Sequence, residues 1–392
     1  MTTRVPACCV DLLAAMVRID TVNGHISGRS AAEAELAAYL EQVAAASGLS
    51  AARLPLGGDG ANLLVSLQVR REAPWLLFES HLDTVAVAGM TIDPFAARVA
   101  DGRLYGRGAC DTKGSGAAML WALRQYAAAA ARPNNVAIVY TVDEEIGKAG
   151  VRAFAGGQLA QLGWRPAGVI VGEPTQLQPV VAHNGIVRWK IHTRGRAAHS
   201  GDPARGKSAI SMMVRVVDRL EQEYVPSLRA SHPLTGKAQC SINVIHGGTQ
   251  VNVIPAHCEI EVDRRLVPGE DPAEVLPAVE SLLAQLRRQH PDLVVEQGPP
   301  FIDPPLDPAG GEQFTAGVVA ALETAGLRAV PTGMFYGTDA SQFAELGIPA
   351  VVLGPGNIEQ AHTLDEWLEL EQLERGVTAY RALMQAPWRQ QP

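Results

Sequence analysis

The sequence predicts an α/β protein in two parts: a mixed sheet between layers of helices, interrupted by a small ferredoxin-like α+β domain. Three observations carry this. Short apolar strands alternate with alanine-rich helical stretches from about residue 30 to 177, the pattern of a sheet covered on both faces. The middle of the chain then changes to a β-α-β-β-α-β order, which closes into a ferredoxin-like layer. At 392 residues, finally, the chain exceeds what one ordinary core holds.

The elements follow in order. The start, MTTRVPACCVDLLAAMVRIDTV, holds a short apolar run broken by Asp11 and Arg18. It reads as an amphipathic helix with Leu12, Leu13, Met16 and Val17 on one face, not as a signal peptide. Ala31–Ser47 and Gly114–Ala131 read as helices; Asn62–Val69, Trp75–Glu79, Val136–Val142 and Val169–Val171 read as strands. The inserted part has strands at Val180–Thr193, Gln239–His246, Ala256–Leu266 and Leu293–Gln297, with helices at Lys207–Tyr224 and Pro272–His290. The segment EQGPPFIDPPLDPAGG reads as a linker. A helix (Gly311–Ala325), a strand (Ile348–Leu353) and a last helix (Glu369–Gln385) return to the first style. The expected division is residues 1–178 with 297–392 as one domain and 179–296 as the insertion.

Composition narrows the function. An apolar fraction of 47% and a charged fraction of 19% are those of a soluble globular protein. A formal charge of -8, from 33 basic and 41 acidic residues, argues against nucleic acid as a partner, since phosphate binding needs a basic face. No segment is long and apolar enough to span a bilayer, so no membrane is expected. The five cysteines are scattered without zinc-knuckle spacing. They read as reduced thiols of a cytoplasmic protein.

Five motifs stand at the ends of predicted strands, where α/β sheets collect their chemistry. In WLLFESHLDTV, His81 and Asp83 share one side of an extended backbone. Asp83 can then accept from one imidazole nitrogen while the other binds a metal. YGRGACDTKGSGAAML fits no phosphate-loop spacing and leaves Asp111 exposed before a helix. NNVAIVYTVDEEIG sets Asp143, Glu144 and Glu145 together after a buried strand; VIVGEPT sets Glu173 after another. VVLGPGNIEQAHTLDEW brings His362 from far along the chain. Singly, each has a plain structural reading: a core histidine, a helix cap at Asp111, a solvated acidic turn. Their order together points to metal. Three carboxylates and one hydroxide supply about four negative charges, which balance two Zn²⁺, and mixed His and carboxylate donors suit zinc. Calcium or magnesium would favour all-oxygen shells.

On these motifs the chain resembles the co-catalytic zinc family of acetylornithine deacetylase, succinyl-diaminopimelate desuccinylase, aminoacylase-1 and carboxypeptidase G, over nearly its whole length. The resemblance implies an α/β/α zinc-peptidase catalytic domain with an inserted lid that also forms a homodimer. It implies that Asp111 bridges two zinc ions (cobalt or manganese as substitutes), with His81 and Glu173 completing one site and Glu145 and His362 the other. Glu144 is then the general base and Asp83 the partner of His81. The peptide Asp111–Thr112 becomes a candidate for the cis form. RGRAAHSGDP resembles the family's lid motif, making His199 the oxyanion donor. In SINVIHGGTQVNVIPAHCEIEVDRR, Asn252 and Arg265 match positions that hold a substrate carboxylate; Arg264 is the alternative. Strand alternation puts Ile260 and Val262 on the core side and Glu261, Asp263 and Arg265 opposite.

Within that family GPGNIEQAHTLDEW looks most like the acetylornithine deacetylases. YGTDASQF suits the same side, with Gly337, Thr338 and Asp339 shaping an acyl pocket, although a Gly-Thr-Asp turn also simply starts a helix. The implied reaction removes an N-acyl group, such as acetyl from N-acetylornithine. Glu144 takes a proton from a zinc-activated water and returns it to the leaving amine, and lid closure brings Arg265 and His199 to the substrate. No nucleophilic serine or cysteine is required, and Cys110 reads as a packing residue. The alternatives are a dipeptidase, carboxypeptidase or succinyl-diaminopimelate desuccinylase on the same site. A non-catalytic nucleotide- or metal-binding protein is disfavoured by the intact base and the missing phosphate loop.

Overall fold

Apolar periodicity sets the first element. In the computed structural model, which describes residues 6–58 and 60–389, α1 (Cys9–Arg18) buries Leu12, Leu13, Met16 and Val17. Asp11 in its first turn and Arg18 in its last oppose the helix dipole favourably. Met1–Val5 of the predicted start lie outside the described residues.

The chain continues through α2 (Ala34–Ala46), β1 (Ser50–Gly57), β2 (Gly60–Leu67), β3 (Trp75–His81), α3 (Lys113–Ala127), β4 (Asn135–Thr141), β5 (Pro166–Val171) and β6 (Val180–His183). β3, β4 and β5 are buried along their whole length, as strands covered by helices on both faces must be. β1 is an edge strand of alternating exposure, and its mixed composition hid it from the sequence reading.

The predicted strand over Val180–Thr193 is two strands, in different sheets: β6 ends at His183 and β7 (Gly185–Arg194) begins the second. A side chain at Gly185 would meet the backbone nitrogen of Pro305 at 2.5 Å, so the chain leaves through a glycine. The β-α-β-β-α-β order then runs β7, α4 (Ala209–Arg219), β8 (Gln239–Gly247), β9 (His257–Leu266), α5 (Val275–Gln289) and β10 (Val295–Gln297). α4 is capped by Ser208, whose hydroxyl accepts from the Ser211 amide at 3.2 Å. Its buried Ala209, Met212, Met213 and Val216 are spaced as one helical face. They pack with Val187, Trp189, Ile191, Ile260 and Val262 in a separate core.

The predicted linker is not free. β10 and the strand β11 (Phe301–Asp303) both pair antiparallel with β7. The chain accordingly divides into Met1–Val181, Pro308–Thr332 and Thr338–Pro392 as one compact unit, and Ala182–Asp307 with Gly333–Gly337 as the other. The second crossing falls at 307/308 rather than 296/297 because those backbone hydrogen bonds bind the Pro-rich stretch to β7. The first unit is completed by α6 (Glu312–Thr324), α7 (Ala340–Ala344), β13 (Ala350–Val352) and α8 (Leu370–Gln385), while β12 (Thr332–Met334) begins at the boundary and runs into the second. The larger sheet has the order β1-β2-β4-β3-β5-β13-β6-β12. Its strands β3, β4, β5 and β13 are mutually parallel, while β1 and β2 run antiparallel. The smaller sheet is antiparallel throughout, in the order β8-β9-β7-β10. Among the described residues no helix is long and apolar enough to cross a membrane.

Candidate metal centre

Four parallel strands deliver their carboxyl ends to one edge of the sheet, and the acidic and imidazole groups sit there. His81 is the last residue of β3, Glu144 and Glu145 follow β4, and Glu173 follows β5. His362 lies in the loop after β13, and Asp111 lies just before α3. The structure therefore brings together all five predicted ligands.

Asp111 is their centre. Its Oδ1 is 3.1 Å from His81 Nε2, and its Oδ2 is 3.2 Å from His362 Nε2. Glu173 Oε1 approaches His81 Nε2 at 3.8 Å, and Glu145 Oε2 approaches His362 Nε2 at 3.2 Å. The donor atoms of His81, Asp111 and Glu145 all lie within 4.8 Å of one another, a spacing able to hold a metal ion. Two imidazoles and three carboxylates are the donor chemistry of a zinc-type site. The mutual pull is visible in the proton affinities. Burial and the neighbouring charge of Asp111 push Glu145 up to about 7. Hydrogen bonds to Asp111 and Glu145 raise His362 to about 11. Burial disfavours the His81 cation, yet Asp111, Asp83 and Glu173 carry its pKa well above the ordinary range.

The loop that carries Asp111 is held by a residue the sequence reading did not single out. Glu366, fully buried, accepts from Arg107 Nη1 at 2.7 Å and from the amides of Gly108, Cys110 and Asp111 at 3.0, 2.9 and 3.0 Å. Gly108, at φ 83°, has Thr84 Cγ2 only 2.8 Å from where a Cβ would stand, so the loop's glycine serves close packing. The Asp111–Thr112 peptide is cis, and the Thr112 hydroxyl donates to the Gly172 carbonyl. Cys110 is buried with its thiol pushed far up by burial, an inert packing group.

Asp83 does more than orient His81. The imidazole Nδ1 lies 3.0 Å from the backbone carbonyl of Asp83 and 3.6 Å from its carboxylate. The carbonyl, which can only accept, fixes Nδ1 as the donor and leaves Nε2 for a metal. The carboxylate mainly shapes the acidic turn: it accepts from the Glu144 and Glu145 amides at 2.9 and 3.1 Å and from Asn23 Nδ2 at 2.8 Å. The same Asn23 nitrogen donates to Asp143 at 2.9 Å. Asp143 stands at φ 63° and Lys148 at φ 56°, so the two residues that bound the turn each hold a costly left-handed backbone conformation.

Glu144 forms a 3.1 Å ion pair with Lys148, which is buried and also lies 3.6 Å from Asp339. Glu79, beneath them, accepts from the Thr141 hydroxyl at 2.6 Å, and burial pushes its carboxyl up to about 7. Asp339 is raised well above its ordinary value by burial and then by Glu79. Thr338 is buried, and its hydroxyl accepts from the Ala340 amide at 3.2 Å, which starts α7. Asn23, Lys148, Glu366 and Arg107 gave no signal in the sequence, because isolated polar residues carry no spacing that marks them.

The remaining predicted residues belong to the second unit. His199 and Asn252 are neighbours there: Ala198–His199 pairs with Val253–Ile254, and the Ser200 amide donates to the Asn252 carbonyl at 3.0 Å. Both side chains are exposed. Arg265 lies on the polar face of β9, with Nε 2.6 Å from Asp263 Oδ1. Arg264 points the other way, buried and paired with Glu270 at 2.5 Å, so it is a structural cation. A Cβ at Gly337 would meet Asp303 Oδ2 at 2.8 Å.

Residues 77–386 match the model of peptidase family M20/M25/M40. The chain belongs to that family. It is thereby a hydrolase of the M20 metallopeptidase type. An acetylornithine deacetylase from Myxococcus xanthus is 35% identical over 306 residues, 76% of this chain and 77% of that protein. A metallo-carboxypeptidase of the M20 family from Sulfolobus solfataricus superposes with a TM-score of 0.79 at 17% identity, covering 96% of this chain and 98% of the other. A dinuclear metal-binding M20 peptidase from Bacillus subtilis gives a TM-score of 0.72 at 16% identity, covering 96% of each chain. These two likenesses establish the M20 fold.

Proposed function

We propose that this M20 hydrolase removes the acyl group from an N-acylated amino acid, with N-acetylornithine as the first candidate. The reading places two zinc ions between His81, Asp111, Glu145, Glu173 and His362. One observation carries it: the two oxygens of Asp111 face two different imidazoles, His81 and His362, at 3.1 and 3.2 Å, as a bridging carboxylate must. Glu173 on the His81 side and Glu145 on the His362 side divide the remaining carboxylates the same way. The 35% identity to a protein named acetylornithine deacetylase supports the substrate class.

Zinc bound there supplies a polarised carbonyl and a water of lowered pKa. Glu144 takes the proton from the attacking water and passes it to the departing amine. Asp83 orients His81 and the acidic turn. In the second unit, the reading assigns His199 as oxyanion donor and Arg265 with Asn252 as holders of the substrate carboxylate. Gly337 and Thr338 border the acyl pocket in this reading, although the Thr338 hydroxyl is already engaged in starting α7. The reading also includes a cytoplasmic homodimer formed through the second unit. Exposed Ile210, Val214 and Ile245 on α4 and β8 give it an apolar surface to bury. Light scattering on the purified chain tests that part.

The test of the activity is a screen of metal-replete protein against N-acetylornithine, N-acetylcitrulline, N-succinyl-diaminopimelate and dipeptides. Fastest turnover of an N-acetyl amino acid is the expected result. Preference for dipeptides would favour the second reading, a peptidase, which the name of the Sulfolobus carboxypeptidase keeps in view. Glu144→Ala is expected to keep its metal and lose about 10²–10⁴-fold in kcat; near-normal turnover would sink the base assignment.

A further inference from the structure

The second unit carries its own cluster of metal-binding side chains, made by strand register alone. β9 and β7 are antiparallel neighbours, with Glu259 opposite His192 and His257 opposite Arg194. Period two puts His257 and Glu259 on one face of β9, and cross-strand pairing sets His192 beside them on the same face. We propose that His192, His257 and Glu259 form a binding site for one divalent d-block cation, of the zinc, nickel or copper class, on the polar face of the smaller sheet.

The geometry is close to what such an ion needs. The donor atoms of all three side chains lie within 4.8 Å of one another. His192 Nδ1 is 3.5 Å from Glu259 Oε2, and the two imidazole centroids are 5.6 Å apart. Tetrahedral zinc, with bonds near 2.0–2.1 Å, separates its ligands by roughly 3.3 Å. Side-chain rotation closes that gap: His257 is exposed, and His192 and Glu259 are only half-buried. The strands need not move.

Donor type selects the ion. Two imidazoles and one carboxylate, with a position left for water, suit borderline d-block ions; calcium and magnesium favour oxygen shells. Neighbouring charges accommodate a cation. Lys190 Nζ holds the other oxygen of Glu259, Oε1, at 3.0 Å, and has a second partner in Glu261 at 3.2 Å. It can therefore pass to Glu261 as the ion arrives. Arg194 is already neutralised by Glu296 at 2.6 Å. Beside the ring, residue 298 is a glycine whose Cβ position lies 3.6 Å from His192 Nε2, so that residue places no side chain against the imidazole. The ion would clip the two central strands of the sheet, and binding to the folded form alone would stabilise the unit.

The test uses the full chain without a histidine tag, stripped of metal and dialysed against micromolar free Zn²⁺ or Ni²⁺. Metal is counted by mass spectrometry in wild type, His192→Asn, His257→Asn and Glu259→Gln. Each variant is expected to bind one equivalent fewer than wild type, and to lose one tetrahedral component of the Co²⁺ absorption spectrum. Amide hydrolysis by the first unit's site is expected to stay at the wild-type rate. Equal metal counts in wild type and His257→Asn overturn the proposal. Because His257 is exposed, that variant decides the question even if another misfolds.

Discussion

The carboxylate of Glu366 offers the sharpest quantitative test of how the loop that carries Asp111 is built. Glu366→Gln keeps the shape but converts one acceptor oxygen to an amide donor. Oε2 serves Arg107 Nη1 and the Gly108 amide, and Oε1 serves the Cys110 and Asp111 amides. Whichever way the amide turns, two of these four donors face another donor. A hydrogen bond to a charged group is worth about 1.5–3 kcal/mol. Arg107, only 3% exposed, also loses its counter-charge, and breaking a buried ion pair costs about 3–5 kcal/mol. The two figures overlap, since the pair is one of the hydrogen bonds. A total of about 3–5 kcal/mol is therefore expected.

The assay is urea unfolding followed by tryptophan fluorescence, with metal affinity measured in parallel by chelator competition. Losing the support behind a metal ligand typically weakens binding by about 10–100-fold, so both readouts are expected to move. Arg107→Met alone is expected to be nearly as damaging, and the double variant less damaging than the sum, because neither partner is left charged and alone. Wild-type stability and wild-type metal affinity in Glu366→Gln would refute the reasoning outright.

Three further outcomes follow from the same network. Asn23→Leu leaves Asp83 and Asp143 without their shared donor; metal affinity is expected to fall by about tenfold or more, and an unchanged chelator midpoint would count against it. Lys148→Met frees Glu144 from its 3.1 Å partner; kcat is expected to drop about tenfold at unchanged metal content, with Lys148→Arg restoring part of it, and equal kcat values would dismiss the role. Glu33 is raised from 4.5 to about 7 by burial and then by Asp83. Its folded form favours the protonated carboxyl, so its contribution is full below pH 4.5 and lost as the pH rises to about 7. Glu33→Gln is therefore expected to gain on wild type across that window, approaching about 3 kcal/mol above it. A stability difference that does not change between acid and neutral pH would contradict this.

The sequence was most legible where one physical rule acts alone. β3, β4 and β5 are buried on both faces, so they read as continuous apolar runs, and α4 and β9 each repeat one buried face. Errors arose where tertiary pairing overruled local composition. Val180–Thr193 carries a break at Asn184-Gly185, a turn signal, but the apolar runs on both sides read as one strand, and only the pairing shows that the chain changes sheets there. The prolines around Phe301–Asp303 suggested a linker, yet three residues between them suffice to pair with β7. β1 needed only an edge, and an edge strand carries little pattern.

The same contrast explains the metal centre and adds something to it. The grouping of His81, Asp111, Glu145, Glu173 and His362, the proposed ligands, was legible because metal chemistry restricts donor types and parallel strands restrict where donors appear. Glu366 was not, since its function exists only through contact with Asp111, 255 residues away. Yet Glu366 lies in the same loop as His362. That loop and the Asp111 loop are joined several times: the Arg107 guanidinium also donates to the Thr363 carbonyl at 3.3 Å, the Gly106 amide to the Glu366 carbonyl at 2.9 Å, and Cys110 Sγ to the Asn357 carbonyl at 3.4 Å. Hydrogen bonds between the two loops thus help to set the spacing between Asp111 and His362. A site framed in this way loses little conformational freedom on binding metal, and preorganisation of that kind strengthens binding without adding a ligand. The residues that tune affinity here are then the frame's polar groups, which no donor-spacing rule could have marked.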